Sequence, residues 1–184
     1  MRAVPINRYA IFLLIGGLGC LADLATKHWV FAALGAPGGE AWWLCEDYCG
    51  FQTSLNEGAL FGMGQGMVWL FAALSIAAAF AIVYWLFIAG AARDLLLTVA
   101  LGCVMGGILG NLYDRLGLWT LAELPGKRIY AVRDWILFQY HGWVWPNFNL
   151  ADSLLVCGAA LLVWHTYRSE ARQVAADTHP ASSR

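Results

Sequence analysis

Apolar residues in this chain are gathered into four long runs, separated by polar or glycine-rich segments. Each run is long enough to cross the hydrocarbon core of a bilayer as a helix, which takes about 20 residues. The first run continues past Cys20 to Val30, so we interpret it as a membrane span and not as a cleaved signal peptide, although Leu18-Gly19-Cys20 resembles a lipoprotein cleavage box. The pattern predicts transmembrane helices at about 9–34, 67–90, 95–115 and 149–167.

Two long segments connect these runs. Residues 35–66 are rich in glycine and alternate in polarity from Phe51 to Leu55, which predicts short strands of a small sheet. Residues 116–147 carry several tryptophans and predict a short helix at the membrane surface. The fold class is therefore a mainly α membrane protein, a four-transmembrane-helix bundle with a small extracytoplasmic β-sheet and a short interfacial helix. We expect one membrane-embedded domain over 1–167 and a polar, disordered cytoplasmic tail over 168–184.

Composition supports the membrane assignment. Of the 184 residues, 60% are hydrophobic and 12% are charged, against about 25% charged residues in ordinary soluble domains. The net charge of −1 and the lack of a Lys/Arg cluster argue against nucleic-acid binding. Cys45 and Cys49 flank three loop residues and are compatible with either a disulfide or two free thiols.

Lysine and arginine are spread almost evenly over the two sides of the predicted bundle. Six lie on the side of the termini and five on the other side, but Lys27 and Arg115 of those five belong to candidate site motifs. Because cytoplasmic loops carry an excess of basic residues, we assign both termini to the cytoplasm. Polar residues at the other ends of the helices then converge on one outer face: Asp23, Lys27, Asn56, Asn111, Asp114, Arg115, Asp134, Asn149 and Asp152.

Two of these acids, Asp134 and Asp152, suggest a catalytic pair. Asp134 lies in an aromatic-rich loop and Asp152 at the start of the last apolar run, where an ionisable group is costly unless it has a function. They would be about 27 Å apart on one helix, but Gly142 and Pro146 permit the chain to fold back. Two adjacent carboxyl groups share one proton, so one can activate water while the other protonates a peptide group.

Other readings of these residues remain open. Asp23 and Lys27 are spaced to form a structural ion pair, Asp114 and Arg115 could anchor a helix end, and the tryptophans are typical of a membrane-interface belt. A transporter with an acidic relay, or a non-catalytic scaffold, would also place acids in a membrane protein. The chain has no H-E-x-x-H or G-x-S-x-G motif, and its histidines lack ligand spacing, so we expect no metal or cofactor.

Five sequence blocks follow one another from the first span to the last: D-L-A-T-K at 23–27, N-E-G-A-L-F-G at 56–62, G-G-I-L-G-N-L-Y-D-R at 106–115, V-R-D-W at 132–135 and F-N-L-A-D at 148–152. Taken together, these motifs resemble the lipoprotein signal peptidase family, the type II signal peptidases of bacteria. Trp135 and Leu60 depart from the family pattern, and the stretch between Arg115 and Asp134 is longer than usual.

The resemblance implies an aspartic endopeptidase of the bacterial inner membrane. Its substrate would be a prolipoprotein with a diacylglyceryl-modified cysteine, cleaved just before that cysteine near the periplasmic face by a monomeric enzyme. Asp134 and Asp152 match the catalytic pair. The residues that match the family's substrate-binding or supporting positions are Asp23, Lys27, Asn56, Gly58, Asn111, Asp114, Arg115, Asn149 and Ala151.

Overall fold

The computed structural model describes residues 3–58, 63–121 and 124–178, with only the backbone described for 172–178. In these ranges the chain forms α1 (Ile6–Leu34), α2 (Val68–Val83, extended by a π-helical turn over Tyr84–Ile88), α3 (Leu95–Arg115) and α4 (Leu150–Thr178). All four are long and apolar enough to cross a membrane. The predicted four-helix bundle is therefore confirmed.

The turn between α2 and α3 shows how local sequence ends one span and starts the next. Gly90 adopts a left-handed conformation with φ of 82°, which glycine tolerates without steric cost. A short 3₁₀ turn over Ala91–Arg93 follows. Asp94 then caps α3, since its carboxylate accepts a hydrogen bond of 3.0 Å from the backbone N–H of Leu97.

Helix α3 lies at the centre of the bundle and packs closely against α1 and α4. Its glycines make this possible, because small residues let helix backbones approach each other in a membrane. A Cβ atom at Gly106 would lie 3.1 Å from the carbonyl oxygen of Gly16 in α1, and one at Gly107 would lie 2.5 Å from that of Ala151 in α4. A larger residue at either position would therefore force α3 away from its neighbours.

A four-stranded antiparallel sheet stands at one end of the bundle. Its strands are β1 (Trp42–Cys45), β2 (Cys49–Asn56), β3 (Val132–Tyr140) and β4 (Trp143–Phe148), in that spatial order. The sheet predicted from residues 35–66 thus exists, and the second connecting segment supplies half of it. Cys45 and Cys49 are cross-strand partners with free thiols.

The hairpin of β3 and β4 turns at His141 and Gly142. Both residues have positive φ angles, of 46° and 80°, as a two-residue type I′ turn requires. Pro146 lies in β4, an edge strand, where a missing N–H donor is tolerated. These two features fold the segment back on itself, as the sequence predicted.

The core has two parts. One lies among the helices and includes Phe12, Leu86, Leu101 and Met105. The other joins the end of α1 to the sheet and contains two tryptophans, so Trp119 and Trp135 are core residues and the prediction that they form a membrane-interface belt was wrong. This second core holds the sheet against the ends of the helices.

Three expectations about the chain need correction. Asp134 lies within strand β3 and not in a loop. Residues 116–121 and 124–147 contain the β3–β4 hairpin and no helix, so the interfacial helix predicted for this segment is not found there. Helix α4 continues to Thr178, so the segment expected to be a disordered tail is helical up to that residue. Residues 179–184, like Leu60 and the rest of 59–62, lie outside the described part of the chain.

Candidate active site

Asp134 and Asp152 meet at the end of the bundle that carries the sheet. Asp134 is held in β3 opposite Ser54 of β2, and its side chain is buried. Asp152 lies in the first turn of α4 and is partly exposed. The sheet and the bundle therefore each contribute one carboxylate, and the two groups lie close enough for the charge of Asp152 to act on Asp134.

Asn149 links the two acids. Its side-chain Nδ2 donates to Oδ1 of Asp134 at 2.6 Å, while its Oδ1 accepts from the backbone N–H of Asp152 at 2.9 Å. The backbone N–H of Asn149 donates in turn to Oδ2 of Asp152 at 3.2 Å. Asn149 is fully buried, so one residue contacts both carboxylates, that of Asp134 through its side chain and that of Asp152 through its backbone N–H.

Asn111 orients Asp152 from the opposite side. Its Nδ2 donates to Oδ1 of Asp152 at 2.9 Å, and its Oδ1 accepts from Lys27 at 2.8 Å and from Asn149 at 3.1 Å. Because Lys27 can only donate, it fixes which end of the Asn111 amide faces the acid. Lys27 thereby acts on the site through Asn111.

The buried ammonium of Lys27 contacts three side chains. Besides its hydrogen bond to Asn111, it forms ion pairs with Asp23 at 2.7 Å and with Asp114 at 3.2 Å. The other carboxylate oxygen of Asp23 accepts from the backbone N–H of Ala151 at 2.9 Å. The predicted Asp23–Lys27 pair exists, and it ties α1 to the start of α4.

Asp114 belongs to a second buried ion pair, with Arg133. The guanidinium donates to Oδ1 of Asp114 at 2.7 and 3.1 Å, and the Arg133 backbone N–H donates to Oδ2 at 3.0 Å. Arg133 also lies over the ring of Trp119, 4.8 Å from its centroid. Asp114 therefore anchors β3 to α3, next to Asp134.

Asn56, Gly58 and Arg115 form the outer edge of the site. Asn56 donates to Oδ2 of Asp134 at 3.2 Å and accepts from the backbone N–H of Gly58 at 2.9 Å. Arg115 donates to the carbonyl oxygen of Gly58 at 3.0 Å. The structure thus brings together all eleven residues that the sequence assigned to the site, and Arg115 bonds to the backbone of Gly58, two residues after the end of β2.

Three neighbouring cavities lie around the two acids. A polar cavity of about 430 Å³ is lined by Asp134, Asn56 and Asn147. A central cavity of about 360 Å³ is lined by Asn56, Asn111, Arg115 and Asp152 among others. The third, which we call the apolar groove, has a volume of about 550 Å³ and runs from Asp152 between the β3–β4 hairpin and α4.

Comparison with known proteins shows the family to which this chain belongs. The model of a family described as signal peptidase (SPase) II matches residues 15–168. The chain belongs to the signal peptidase II family. It is 50% identical to the lipoprotein signal peptidase of Rhodopirellula baltica over 167 residues, which cover 90% of this chain and 75% of that protein. It is 35% identical to that of Rhodococcus jostii over 162 residues, with 88% and 75% covered.

Solved structures agree with this family membership. Two structures described as bacterial membrane enzymes superpose on the chain. One has a TM-score of 0.71 at 25% identity and covers 94% of this chain and 93% of its own. The other has a TM-score of 0.67 at 28% identity, with 84% and 91% covered. The four-helix bundle with its small sheet is thus the fold of a membrane enzyme.

The environment of Asp134 in this signal peptidase II family member favours its neutral form. Burial, followed by the charge of Asp152, raises the pKa of Asp134 from 3.8 to about 7, although the amides of Asn149 and Asn56 oppose the shift. Asp152 instead is partly exposed and accepts from the side-chain amide of Asn111 in α3 and from the backbone N–H of Asn149 at the start of α4. The two acids are therefore in different environments.

One residue of this region was not singled out from the sequence. Arg133 has no role among the sequence-based predictions, yet it is 4% exposed and holds Asp114 with three hydrogen bonds. A basic residue directly before Asp134, in a stretch that is otherwise apolar up to Phe138, was the available indication. All the buried ionisable side chains among the described residues lie at this end of the bundle, which argues against an acidic relay through the membrane.

Proposed function

We propose that this protein is a membrane aspartic endopeptidase that removes the signal peptide from diacylglyceryl-modified prolipoproteins, by cleaving just before the lipidated cysteine. The observation that carries the proposal is the pair of acids bridged by one buried asparagine, Asn149, with Asp134 in a setting that keeps it protonated up to a pH of about 7. Membership of the signal peptidase II family gives the class of substrate.

In the proposed mechanism, Asp152 is the general base. It takes a proton from a water molecule as the water oxygen attacks the scissile carbonyl carbon. Asp134 first donates a hydrogen bond to the carbonyl oxygen. It then transfers that proton to the leaving amine as the C–N bond breaks. Asp152 ends protonated and Asp134 ionised, and proton exchange with solvent restores the starting state. The chemistry needs no cofactor, because both protons are handled by the two carboxyl groups.

The surrounding polar residues are proposed to support the two acids or to bind the substrate backbone. Asn111, Asn149, Lys27 and Asp23 hold the carboxylates in place through the hydrogen bonds described above. Arg115 faces the central cavity, and its buried Nε atom has no hydrogen-bond partner among the described residues. An unpaired buried donor is costly, so a carbonyl oxygen of the substrate would be well placed to accept from it.

We further propose that the chain functions as a monomer in the bacterial inner membrane, with cytoplasmic termini and the site near the periplasmic face. Of the five basic residues on the site's side, Lys27, Arg115 and Arg133 are engaged in buried or half-buried contacts. Only Lys127 and Arg128 remain as exposed loop charges there, and this supports the orientation through the excess of basic residues on the cytoplasmic side. Both acids come from one chain, which supports a monomer.

The test is cleavage by the purified protein in detergent or nanodiscs. We expect the wild-type protein to cut a diacylglyceryl-modified precursor immediately before the cysteine and to leave the unmodified precursor intact, as read on a gel and by mass spectrometry. Asp134→Asn and Asp152→Asn should each abolish cleavage, while Asp47→Asn, in the exposed β1–β2 turn, should not. Full cleavage by either active-site variant would contradict the two-acid mechanism.

A further inference from the structure

The apolar groove is distinct in its chemistry from the two cavities beside it. Aromatic side chains of the sheet form one wall, among them Phe138, Tyr140, Trp143 and Trp145, and α4 forms the other through Val156 and Cys157. Several of these groups are exposed, with 61% of Trp143 and 59% of Val156 accessible. Its volume of about 550 Å³ lies within the range of small-molecule sites, about 300–1,000 Å³.

The groove and the central cavity diverge from Asp152. Both are lined by Phe148, Asp152 and Val156, so the ring and the valine form the partition between them. The central cavity carries the polar groups of Asn111 and Arg115, which suit a peptide backbone. The groove is lined mainly by apolar and aromatic side chains, which do not offer the backbone hydrogen bonds that a buried peptide needs.

The substrate also has two different parts on the two sides of the bond that is cleaved. The signal peptide extends from the carbonyl side of the scissile bond, and the lipidated cysteine lies on the nitrogen side. Only the Cα and Cβ atoms of that cysteine separate the scissile nitrogen from the thioether sulfur, so the lipid must leave the site close to Asp152. We propose, on the basis of the proposed function, that the apolar groove holds the acyl chains of the substrate's diacylglyceryl group during cleavage.

The groove's position fits acyl chains that come from the bilayer. It borders the lipid-facing surface of α4, where Val156 and Val163 are exposed. Since the chains leave one apolar medium for another, the groove gains little from the hydrophobic effect. Its contribution is to give the chains a route that avoids the polar groups of the central cavity. The tyrosines and tryptophans of the hairpin place an apolar ring beside a polar atom, as is typical at a bilayer surface.

Photo-crosslinking tests the occupant directly. The full-length protein in nanodiscs is mixed with a precursor that carries a diazirine on its acyl chains, with a precursor that carries one in the apolar part of its signal peptide, or with a diazirine phospholipid. We expect the acyl label on 138–145 and 153–157 and the signal-peptide label elsewhere. The proposal is overturned if the acyl label falls only on α1 or α2, if the signal peptide labels the groove instead, or if phospholipid labels it and lipidated precursor does not displace it.

Obstruction of the groove gives an independent measurement. Cys157→Trp adds a large ring to an exposed groove position, and Val163→Trp adds the same ring to an exposed position on α4 outside the groove. We expect Cys157→Trp to lower kcat/KM by at least about tenfold and Val163→Trp by less than about twofold, where tenfold corresponds to about 1.4 kcal/mol. Trp143→Ser, which removes a groove wall on the hairpin, provides a second variant that leaves α4 unchanged.

The outcomes separate this inference from the proposed function. If wild-type protein does not cleave the lipidated precursor, the proposed function fails. If it cleaves, and if Cys157→Trp and Trp143→Ser remain folded with kcat/KM equal to that of Val163→Trp, the acyl-chain assignment is overturned while the peptidase stands. The thermal stability of both variants is measured alongside their activity. If one of them is unfolded, the kcat/KM of the other decides between these outcomes.

Discussion

Asn149 and Asp152 cap helix α4 reciprocally: each side chain bonds to the other residue's backbone N–H, at 2.9 and 3.2 Å. This is a capping box, with aspartate in the place usually taken by glutamate or glutamine. The feature that starts the helix therefore also fixes the rotamer of the proposed general base. Because Asn149 Nδ2 continues to Asp134 and Asn111, helix capping and alignment of the acids depend on one residue.

Two substitutions separate these roles of Asn149. Serine retains an oxygen that can cap α4 but loses the amide that reaches Asp134, whereas alanine loses both. We expect Asn149→Ala to cost about 1 kcal/mol more stability than Asn149→Ser, the usual value of an N-cap. Both should lower kcat by roughly a hundredfold, since a misplaced catalytic group is costly even when the fold is kept. Thermal unfolding in detergent and single-turnover cleavage measure the two effects.

A matched control for these variants is Ser153→Ala. Ser153 also bonds near the helix start, but to the backbone carbonyl of Asn149 at 3.2 Å and not to either acid. It should change stability by less than about 0.5 kcal/mol. If Asn149→Ser kept wild-type kcat, the bridge from Asn149 to Asp134 would have no part in catalysis.

The pKa of Asp134 predicts how activity depends on pH. Burial and the neighbouring Asp152 raise this pKa to about 7, so the protonated form that serves as general acid is present below pH 7 and is lost above it. We expect kcat/KM to fall as pH rises through about 7. For the same reason, the contribution of this group to stability is present at low pH and is lost as pH rises towards 7.

A substitution at Asn56 should change the pH at which kcat/KM falls. Its donation to Asp134 at 3.2 Å lowers the pKa of the acid, so Asn56→Leu should raise the pKa and shift the fall in kcat/KM to higher pH. Asn147→Leu is the control, since Asn147 donates to the carbonyl oxygen of Gln52 and not to an acid. If kcat/KM of Asn56→Leu falls at the same pH as that of the wild-type protein, the ionisation of Asp134 does not cause the fall.

Much of this architecture could be predicted from local features of the sequence. The four apolar runs determine the helices because length and composition alone decide whether a segment can span a bilayer. Because successive helices cross the membrane in opposite directions, the ends of α1 and α3 lie on the same side as the start of α4. Lys27, Asn111 and Asn149 meet there. The turn at His141 and Gly142 was also predictable, because few residues tolerate its backbone angles.

Strand β3 could not be predicted, because its burial depends on distant partners. Val132, Arg133, Asp134 and Trp135 are all buried, so the alternation that identifies a strand with one wet face is absent. Arg133 and Asp134 are charged, and charged residues beside an apolar run predict a loop when only the local sequence is considered. They are buried only because Asp114, Asn149 and Asn56 supply hydrogen bonds from other elements.

The end of α4 differs from the prediction for another reason. Residues 168–178 are polar, and polar composition predicts disorder. They also include several alanines with Glu170, Arg172 and Gln173, which are good helix formers. A helix already nucleated in the membrane can extend through such residues without a packed face, since each added residue gains one hydrogen bond.

Arg133 provides the sharpest test of how the sheet is attached to the bundle. Its side chain is buried against Asp114 and over Trp119, and Asp114 also contacts Lys27 at 3.2 Å. Two buried acids and two buried bases, Asp23 and Asp114 with Lys27 and Arg133, thus form one connected and neutral group across α1, α3 and β3. Removing one partner of a buried pair leaves an uncompensated charge, which costs about 3–5 kcal/mol.

We therefore expect Arg133→Met to destabilise the protein by about 3 kcal/mol, at the lower end of that range because Asp114 keeps Lys27 as a partner. Arg133→Lys should recover only part of the loss, because an ammonium cannot reproduce the forked contact of the guanidinium with Asp114. The exposed Arg128→Met is the control and should change stability by less than about 0.5 kcal/mol. Denaturant or thermal unfolding in detergent measures all three. Equal stability of Arg133→Met and Arg128→Met would mean that β3 is held to α3 by apolar packing alone.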